Sequence, residues 1–334
     1  MDPSRATPCH SATVNDPIEP KRTSKALLGL VRWVDSYAGA EPPPQGEPDR
    51  VDWVRCIPFI AMHVGCLAIF RVGWSWTAVC VAVALYLMRG FAITGFYHRY
   101  FSHRTFRTSR ACQLVFAVIG NASGQRGPLW WAAHHRYHHV HSDDESDIHS
   151  PRRNGFLWSH MGWFTSKRNF RTDRRAVADL AGFPELVFLD RFDALAPAAL
   201  AMGLFAAGEI LRRSMPGLGT SGLQMLVWGF CVSTMALFHV TSMVNSVAHK
   251  IGRRRYDTGD ESGNSFLLAL ITLGEGWHNN HHHYPASARQ GFQWWEIDIT
   301  YYGLALMSWL GLVWDLRPLP ERMRRSGRLG PAAA

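Results

Sequence analysis

The sequence predicts an all-α integral membrane protein, with four transmembrane helices in two hairpins and a cytoplasmic helical cap that holds a histidine-rich metal site. Three observations predict it. Of the 334 residues, 47% are hydrophobic and only 18% are charged, with 14 Trp, a balance typical of membrane-embedded chains. The apolar residues are concentrated in a few long runs, so the mean hydropathy of -0.10 averages two phases. Nine of the 17 histidines fall into four clusters, and two of those clusters begin where an apolar run ends.

Taken in order, residues 1–50 are polar and end in the proline-rich EPPPQGEPDR. That composition cannot bury enough surface to offset ordering entropy, so a disordered tail is expected, with one short helix around Ala26 to Trp33. No signal peptide is visible, because the first apolar run lies far from Met1. One domain is expected over 51–316. Its first hairpin, about 56–97, joins a short apolar run from Cys56 to Phe70 to a longer one from Trp74 to about Phe96, broken only by Arg89. The second, about 192–247, joins Phe192–Leu211 to Gly222–Val244 around Arg212 and Arg213. The run Tyr301–Trp314 is too short for a span and is expected on the membrane surface or under the cap. Residues 317–334 read as a basic tail.

Thirteen Lys and Arg lie between His98 and Asp190, and the terminal segments are also basic. By the positive-inside rule both termini and every His cluster are cytoplasmic, which for a bacterial chain means the inner membrane. The net charge of +9 is spread over loops without a reading motif, which argues against nucleic acid and for membrane lipid or acidic partners. The six cysteines show no paired spacing and read as packing residues. Gly217, Gly219 and Gly222 spell a dinucleotide fingerprint, but no strand precedes them and the topology puts them across the membrane from the clusters.

The densest cluster is WWAAHHRYHHVHSDDESDIHS, Trp130 to Ser150, with six of the histidines. His135, His138 and His139 stand at i, i+3 and i+4, so on a helix their rings leave one face and can close on a common point. His278, His281 and His282 repeat that spacing in GEGWHNNHHHYP. His98 with His103, and Asn245 with His249, complete the set. One first-row ion rarely takes more than six ligands, so nine histidines with Asn245 point to two ions with open positions, and open positions point to catalysis. Imidazole alone leaves iron, zinc, copper and nickel as candidates. The chain has no Walker motif and no nucleophile with a plausible base. A dimetal site where apolar helices leave the bilayer suits oxygen chemistry on a lipid-like chain, for which iron with O2 is the usual means.

HRYFSH, HHRYHH, NSVAH and HNNHH, in this order around two hydrophobic hairpins, resemble the membrane-bound fatty-acyl desaturases of the stearoyl-CoA delta-9 type. QRGPLWWAAHHRYHH followed by SDDESDIHSP suggests the bacterial branch. The resemblance covers about Asp52 to Leu316. It implies a non-haem diiron site on His98, His103, His135, His138, His139, His249, His278, His281 and His282, with Asn245 holding a metal through water. It also implies O2-dependent insertion of a cis double bond, at the delta-9 position, into a saturated long-chain acyl-CoA or acyl-carrier thioester, in unsaturated fatty acid biosynthesis. No cytochrome b5 module is seen at either end, so a separate electron donor is expected, a ferredoxin or rubredoxin type of protein with its reductase. His134 and His283 depart from the commoner eukaryotic pattern and read as partners of ligands.

Arg152, Arg153, Lys167 and Arg168 are expected to hold the head group. Trp130, Trp131, Tyr86 and Leu87 are expected along the acyl chain. Counting back from His98 puts Thr94, Phe91 and Leu87 on its helical face, and Tyr86 would close the tunnel if the helix rotates slightly. His63 and His239 read as core or interface residues and His10 as part of the tail, while His141, His149 and His160 lie near the site. The acidic run Asp143, Asp144, Glu145 and Asp147 is expected to accept hydrogen bonds from ligand imidazoles and from Arg152 and Arg153. A hydroxylase of the same histidine-rich superfamily would carry similar clusters. A metal transporter is disfavoured, because transporters place ligands near the midplane on broken helices.

Overall fold

The computed structural model describes residues 25–40 and 50–329. Among them, four helices are long and apolar enough to cross a membrane: Trp53–Val72, Trp76–Ser102, Leu195–Ser214 and Gly222–Ser246. At 1.5 Å per residue, even 20 residues reach about 30 Å, the thickness of a bilayer core. Side-chain oxygens cap three of these helices: Asp52 accepts from the backbone N–H of Arg55, Ser75 from Ala78 and Ser221 from Gln224.

The four spans divide into two kinds. In the second and fourth, 44% of the most apolar window is buried inside the protein, against 11% in the first and third. The inner pair therefore supplies the scaffold on which chemistry can be built. Arg89, the charge that interrupts the second span, is fully buried there. Its guanidinium donates to Thr234 Oγ1 (2.7 Å) and Ser233 Oγ on the fourth span and to the Ala122 carbonyl (3.1 Å). An intramembrane charge is tolerable only with such partners, and here they tie the inner pair together. The third and fourth spans cross so closely that a Cβ on Gly208 would lie 2.6 Å from the Ser221 carbonyl oxygen.

Outside the spans, short helices joined by long loops make up the rest of the described residues. The single exception among named elements is a two-residue antiparallel pair, Arg107–Thr108 with Val313–Trp314. The helix Pro128–His141 packs on the end of the second span, and the core there joins Phe96, Tyr97, Phe101, Leu129 and Leu304. The run expected on the membrane surface or under the cap is the helix Ile299–Trp309, which packs against the second span through the buried Leu304.

The short helix expected around Ala26 to Trp33 is present, and where they are described both tails are docked on the body of the protein. Residues 25–40 form a helix, Lys25–Val34, and a turn bound to the body of the protein. Trp33 donates to the Val54 carbonyl (2.7 Å), and Ser36 Oγ donates to the carbonyls of Asp190 and Arg191 (both 2.9 Å). These bonds offset part of the ordering cost that the polar composition suggested. At the other end, Leu329 N–H bonds the Arg255 carbonyl and Asp257 N–H bonds that of Gly327, so 317–329 is docked. Residues 1–24, 41–49 and 330–334, with Cys9 and His10, lie outside the described residues.

Candidate metal centre

The second span ends as a π-helix, Ala92–Ser102, whose wide turns are continued by a bond from His103 N–H to the His98 carbonyl (3.2 Å). Such i to i+5 turns are uncommon and gather at functional sites. Here they bring His98 and His103, five residues apart, to one side. Pro128 starts the helix Pro128–His141 at a position where its missing N–H costs nothing, and that helix presents His135, His138 and His139. His278, His281 and His282 stand on a short helix, His278–His283. Its two asparagines anchor it: Asn279 Oδ1 accepts from the backbone N–H groups of Arg255 and Tyr256, and Asn280 bonds Asn264, Gln290 and Glu296.

The nine histidines sort into two groups able to hold a metal ion. His98, His103, His135, His139 and His281 form one; His138, His249, His278 and His282 form the other. In each, one ligand nitrogen per ring lies within 4.8 Å of all the others. The first group is a chain of facing Nε2 atoms: His103 to His135 at 2.8 Å, His135 to His139 at 3.0 Å, His139 to His281 at 2.9 Å and His281 to His98 at 3.0 Å. In the second, the Nε2 atoms of His249 and His278 are 2.9 Å apart.

The outer nitrogens decide what these contacts mean. His98 Nδ1 meets Glu275, His249 Nδ1 meets Asp143 (2.8 Å), His282 Nδ1 meets Asp260 (2.6 Å) and His138 Nδ1 lies 3.3 Å from Asp147. A carboxylate at Nδ1 fixes the proton there and turns the Nε2 lone pair inward. In the second group this turns the lone pairs of His138, His249 and His282 towards one space, which is repulsive unless a cation lies there. Buried and without a hydrogen-bond partner, His138 Nε2 and His282 Nε2 ask for the same partner. The donor set fits metal ions.

Burial, reinforced by neighbouring imidazoles, holds His103, His135, His139, His278 and His281 well below the ordinary histidine range. Burial takes His282 down to about 4 against the opposing pull of Asp260. All are neutral at pH 7, the form that ligates. For Asp143, burial raises the pKa, but the bond and charge of His249 prevail and lower it to about 2. Asp147, Asp260 and Glu275 are likewise held below the usual carboxylate range by their imidazole partners, against burial.

A cavity of about 590 Å³ reaches the five-histidine group. His98, His134, His135, His149 and Asn245 line it beside the metal-competent nitrogens, with Trp130, Trp131 and Trp163. From there it follows the second span past Thr94, Ile93 and Gly90 to Tyr86, whose hydroxyl donates to the Ile271 carbonyl (2.5 Å). In the other direction it passes Trp130 to Arg126, Arg55 and Arg32.

Two sequence expectations need correction. Leu87 does not line this cavity; it is 47% exposed on the outer face, and Tyr86 lines the cavity instead. Counting back from His98 in α-helical steps fails because the intervening π-turns shift the phase of the helix. Arg152, Arg153, Lys167 and Arg168 do not line it either. Arg152 pairs with Glu261 (2.7 Å) beside a separate smaller pocket, and Arg153 Nε donates to the Asp143 carbonyl (3.0 Å). Arg152 and Arg153 sit over the acidic run, away from the cavity's basic end, whereas Lys167, whose N–H bonds the Arg50 carbonyl, lies between the lining residues Phe164 and Phe170.

The remaining histidines have partners. His134 lies tilted against Trp130 and bonds its carbonyl through Nδ1 (2.9 Å), and His283 Nε2 bonds the Met323 carbonyl (2.7 Å) with its ring flat on Tyr256. His141 pairs with Asp144. His63, His239, His160 and Ser246 form a hydrogen-bonded chain linking the first and fourth spans. His149 lies beside His138, ring centroids 4.4 Å apart, and with His138 and Asp147 makes a third group able to hold a metal. Sequence reasoning missed Glu275, Asp260 and the pair Arg99–Asp298 that braces Glu275, because lone carboxylates in loops carry no spacing signal.

The fatty acid desaturase family model matches residues 74–308. The sn-1 stearoyl-lipid 9-desaturase of Anabaena variabilis is 36% identical over 271 residues, covering 80% of this chain and 94% of that protein. The acyl-CoA 5-desaturase of Anemone leveillei is 36% identical over 307 residues (87% and 90%), and the delta-9 acyl-lipid desaturase 1 of Arabidopsis thaliana 34% over 282 (83% and 87%). The site thus defines a membrane oxidoreductase with a histidine-held metal centre, and the chain belongs to the fatty acid desaturase family.

Proposed function

We propose that this protein is an O2-dependent fatty-acyl desaturase that inserts a cis double bond, at the delta-9 position, into a saturated long-chain acyl group held as an ester or thioester. The observation that carries this reading is one cavity that runs from an arginine-lined end, past His98 and His135 of the five-histidine group, to an apolar end at Tyr86. It has the form of a slot in which the middle of an extended chain lies against the metal centre. Two irons are assigned, one to His98, His103, His135, His139 and His281, the other to His138, His249, His278 and His282, with Asn245 at the cavity wall reaching the second through water.

The reaction balances as one saturated CH2–CH2 unit with O2, two electrons and two protons giving one CH=CH unit and two waters. Bound iron would supply the oxidant that breaks two unactivated C–H bonds. The protein's own groups do the rest. Trp131 stacks on His135 (centroids 5.0 Å) and narrows the slot over the imidazoles, which keeps the chain in register and water out. Electrons come from a separate donor protein, of ferredoxin or rubredoxin type. The two span pairs act as hairpins in a bacterial inner membrane, and the metal centre faces the cytoplasm. Expression in a host that makes no unsaturated fatty acids, followed by mass spectrometry of its lipids, tests the reading. A new double bond at carbon nine supports it; a hydroxylated chain would identify a hydroxylase instead.

A further inference from the structure

The four-histidine group is buried, yet one of its rings reaches the surface outside the acyl cavity. His249, only 3% exposed, lines with one edge an open surface pocket of about 450 Å³, together with Pro151, Arg152, Lys250 and Glu261. None of these residues lines the acyl cavity. A single imidazole therefore separates the outside from the space that His249 shares with His138, His278 and His282. The ring is held firmly in that place. Its Nδ1 meets Asp143 (2.8 Å), and the same carboxylate accepts from the backbone N–H of Glu261 (3.0 Å). Gly263 N–H bonds the Ala248 carbonyl (2.7 Å), and Arg253 and Asn264 exchange backbone bonds (both 2.9 Å), so the loop that follows His249 is fastened at its base.

The charge around the pocket is one-sided. Its own acid, Glu261, is already taken by Arg152 (2.7 Å) and Arg254 (3.6 Å). Lys250 and Arg253 are exposed and, among the described residues, pair with no carboxylate, while Arg153 is exposed and gives its Nε to the Asp143 carbonyl. On the adjoining turn Asp144 is bound to His141, which leaves Glu145 as the exposed acid there. The next acid along the loop, Asp257, lies at the docked C-terminal segment, where its N–H bonds the Gly327 carbonyl. Ile251, 66% exposed, stands among the cations. A cationic rim about an exposed apolar side chain suits a brief complex with a protein of opposite charge, steered by that charge.

We propose that Arg152, Arg153, Lys250, Ile251 and Arg253, around the edge of His249, form the docking surface for an acidic one-electron carrier protein, and that electrons enter the centre through the His249 ring, at the four-histidine group. The inference rests on the reading of the protein as a desaturase fed by a separate donor, and it says where that donor binds. At each docking the carrier is oxidised by one electron and the centre is reduced by one. Two dockings in turn supply the electrons for one double bond. Because the pocket and the acyl cavity share no residue, the carrier can come and go while the acyl chain stays in place. The two groups then differ in role as well as in build: His98 and His135 face the substrate, and His249 faces the donor.

The test is stopped-flow reduction of the purified, iron-loaded, full-length protein in lipid nanodiscs, followed by the absorbance of the carrier, with no acyl substrate present. The carrier is a reduced, acidic plant-type [2Fe–2S] ferredoxin, and photoreduced deazariboflavin is the small uncharged control. The wild-type rate with ferredoxin is expected to fall about tenfold from low to high salt, as steering by charge is screened. Lys250→Glu and Arg253→Glu are each expected to slow it by about three- to tenfold at low salt and to flatten its salt dependence, with iron content and the deazariboflavin rate unchanged. Should Lys250→Glu disturb the adjoining His249, seen as lost iron, Arg253→Glu on the rim still decides. Ferredoxin rates that ignore salt, that survive both substitutions, or that fall in step with the deazariboflavin rates overturn the docking surface. Slowing confined to nanodiscs of anionic lipid would give this face to the bilayer and overturn it too. The desaturase reading is tested apart, by supplying chemically reduced protein with O2 and a stearoyl substrate: if no double bond forms, that reading fails, while the ferredoxin rates still report on the surface.

Discussion

The two imidazole groups are built by different means. The five-histidine group has one carboxylate behind it, Glu275 at His98; its other rings are set by the π-turns of the second span, by the helix Pro128–His141 and by Trp131 stacked on His135. The four-histidine group has three: Asp147 at His138, Asp143 at His249 and Asp260 at His282. One is held by helix geometry and aromatic packing, the other by acids from loops. The contrast teaches that equal ligand chemistry does not mean equal vulnerability. A loop acid can be removed without disturbing a helix, so the second group can be weakened alone.

The largest effect should come from removing a ring from either group, since the centre works as one unit. His281→Ala and His138→Ala are each expected to abolish double-bond formation while the protein still purifies as a folded membrane protein. Product fatty acids by gas chromatography and iron by plasma mass spectrometry check this. Near-normal activity with two irons in either variant would refute the ligand assignment. Next comes the test that separates the groups. Asp260→Asn leaves His282 without its anionic partner, and loss of such an orienting carboxylate costs about 10–100-fold in metal affinity. Iron is expected to fall towards half, with the five-histidine group still loaded. Uniform loss from both groups would show that the acids support one joint centre.

How much of this was legible in the sequence follows the same division. Histidine spacing on a helix is periodic, so His135, His138 and His139, and then His278, His281 and His282, announced themselves, as did the four apolar runs. Glu275 and Asp260 did not, because each reaches its imidazole across the fold from a loop. The charges at Arg152, Arg153, Lys167 and Arg168 were conspicuous by composition, yet the cavity leads to Arg126, Arg55 and Arg32, three single arginines brought together from distant segments. The helix Lys25–Val34 was visible, but not that its following turn docks on Asp190 and Arg191.

A smaller effect probes whether the groups truly differ in ligand number. His149 is buried beside His138, its Nδ1 has no hydrogen-bond partner, and with His138 and Asp147 it forms a separate group able to hold a metal. Because Asp147 lies 3.5 Å from that Nδ1, His149 is expected to act through Asp147 and His138. His149→Ala should lower activity several-fold and leave two irons bound. Loss of one iron would make His149 a ligand and the two groups equal in number.

The smallest effect tests the geometry on which the five-histidine group depends. The π-turns between Ala92 and Ser102 place His98 and also set the phase of the span above it, turning Tyr86 into the cavity and Leu87 outward. Tyr86 is bonded to the Ile271 carbonyl and closes the apolar end without touching a histidine. Tyr86→Ala therefore opens space only for the methyl end of the chain. Preference is expected to move towards longer acyl groups by a few-fold, with the double bond at an unchanged distance from the carboxyl carbon. Leu87→Ala, on the outer face, should leave the chain-length profile as it was. If the two outcomes were exchanged, the second span would have the phase of an uninterrupted α-helix. His98 and His103 would then no longer share one side, and the first imidazole group could not have the form described.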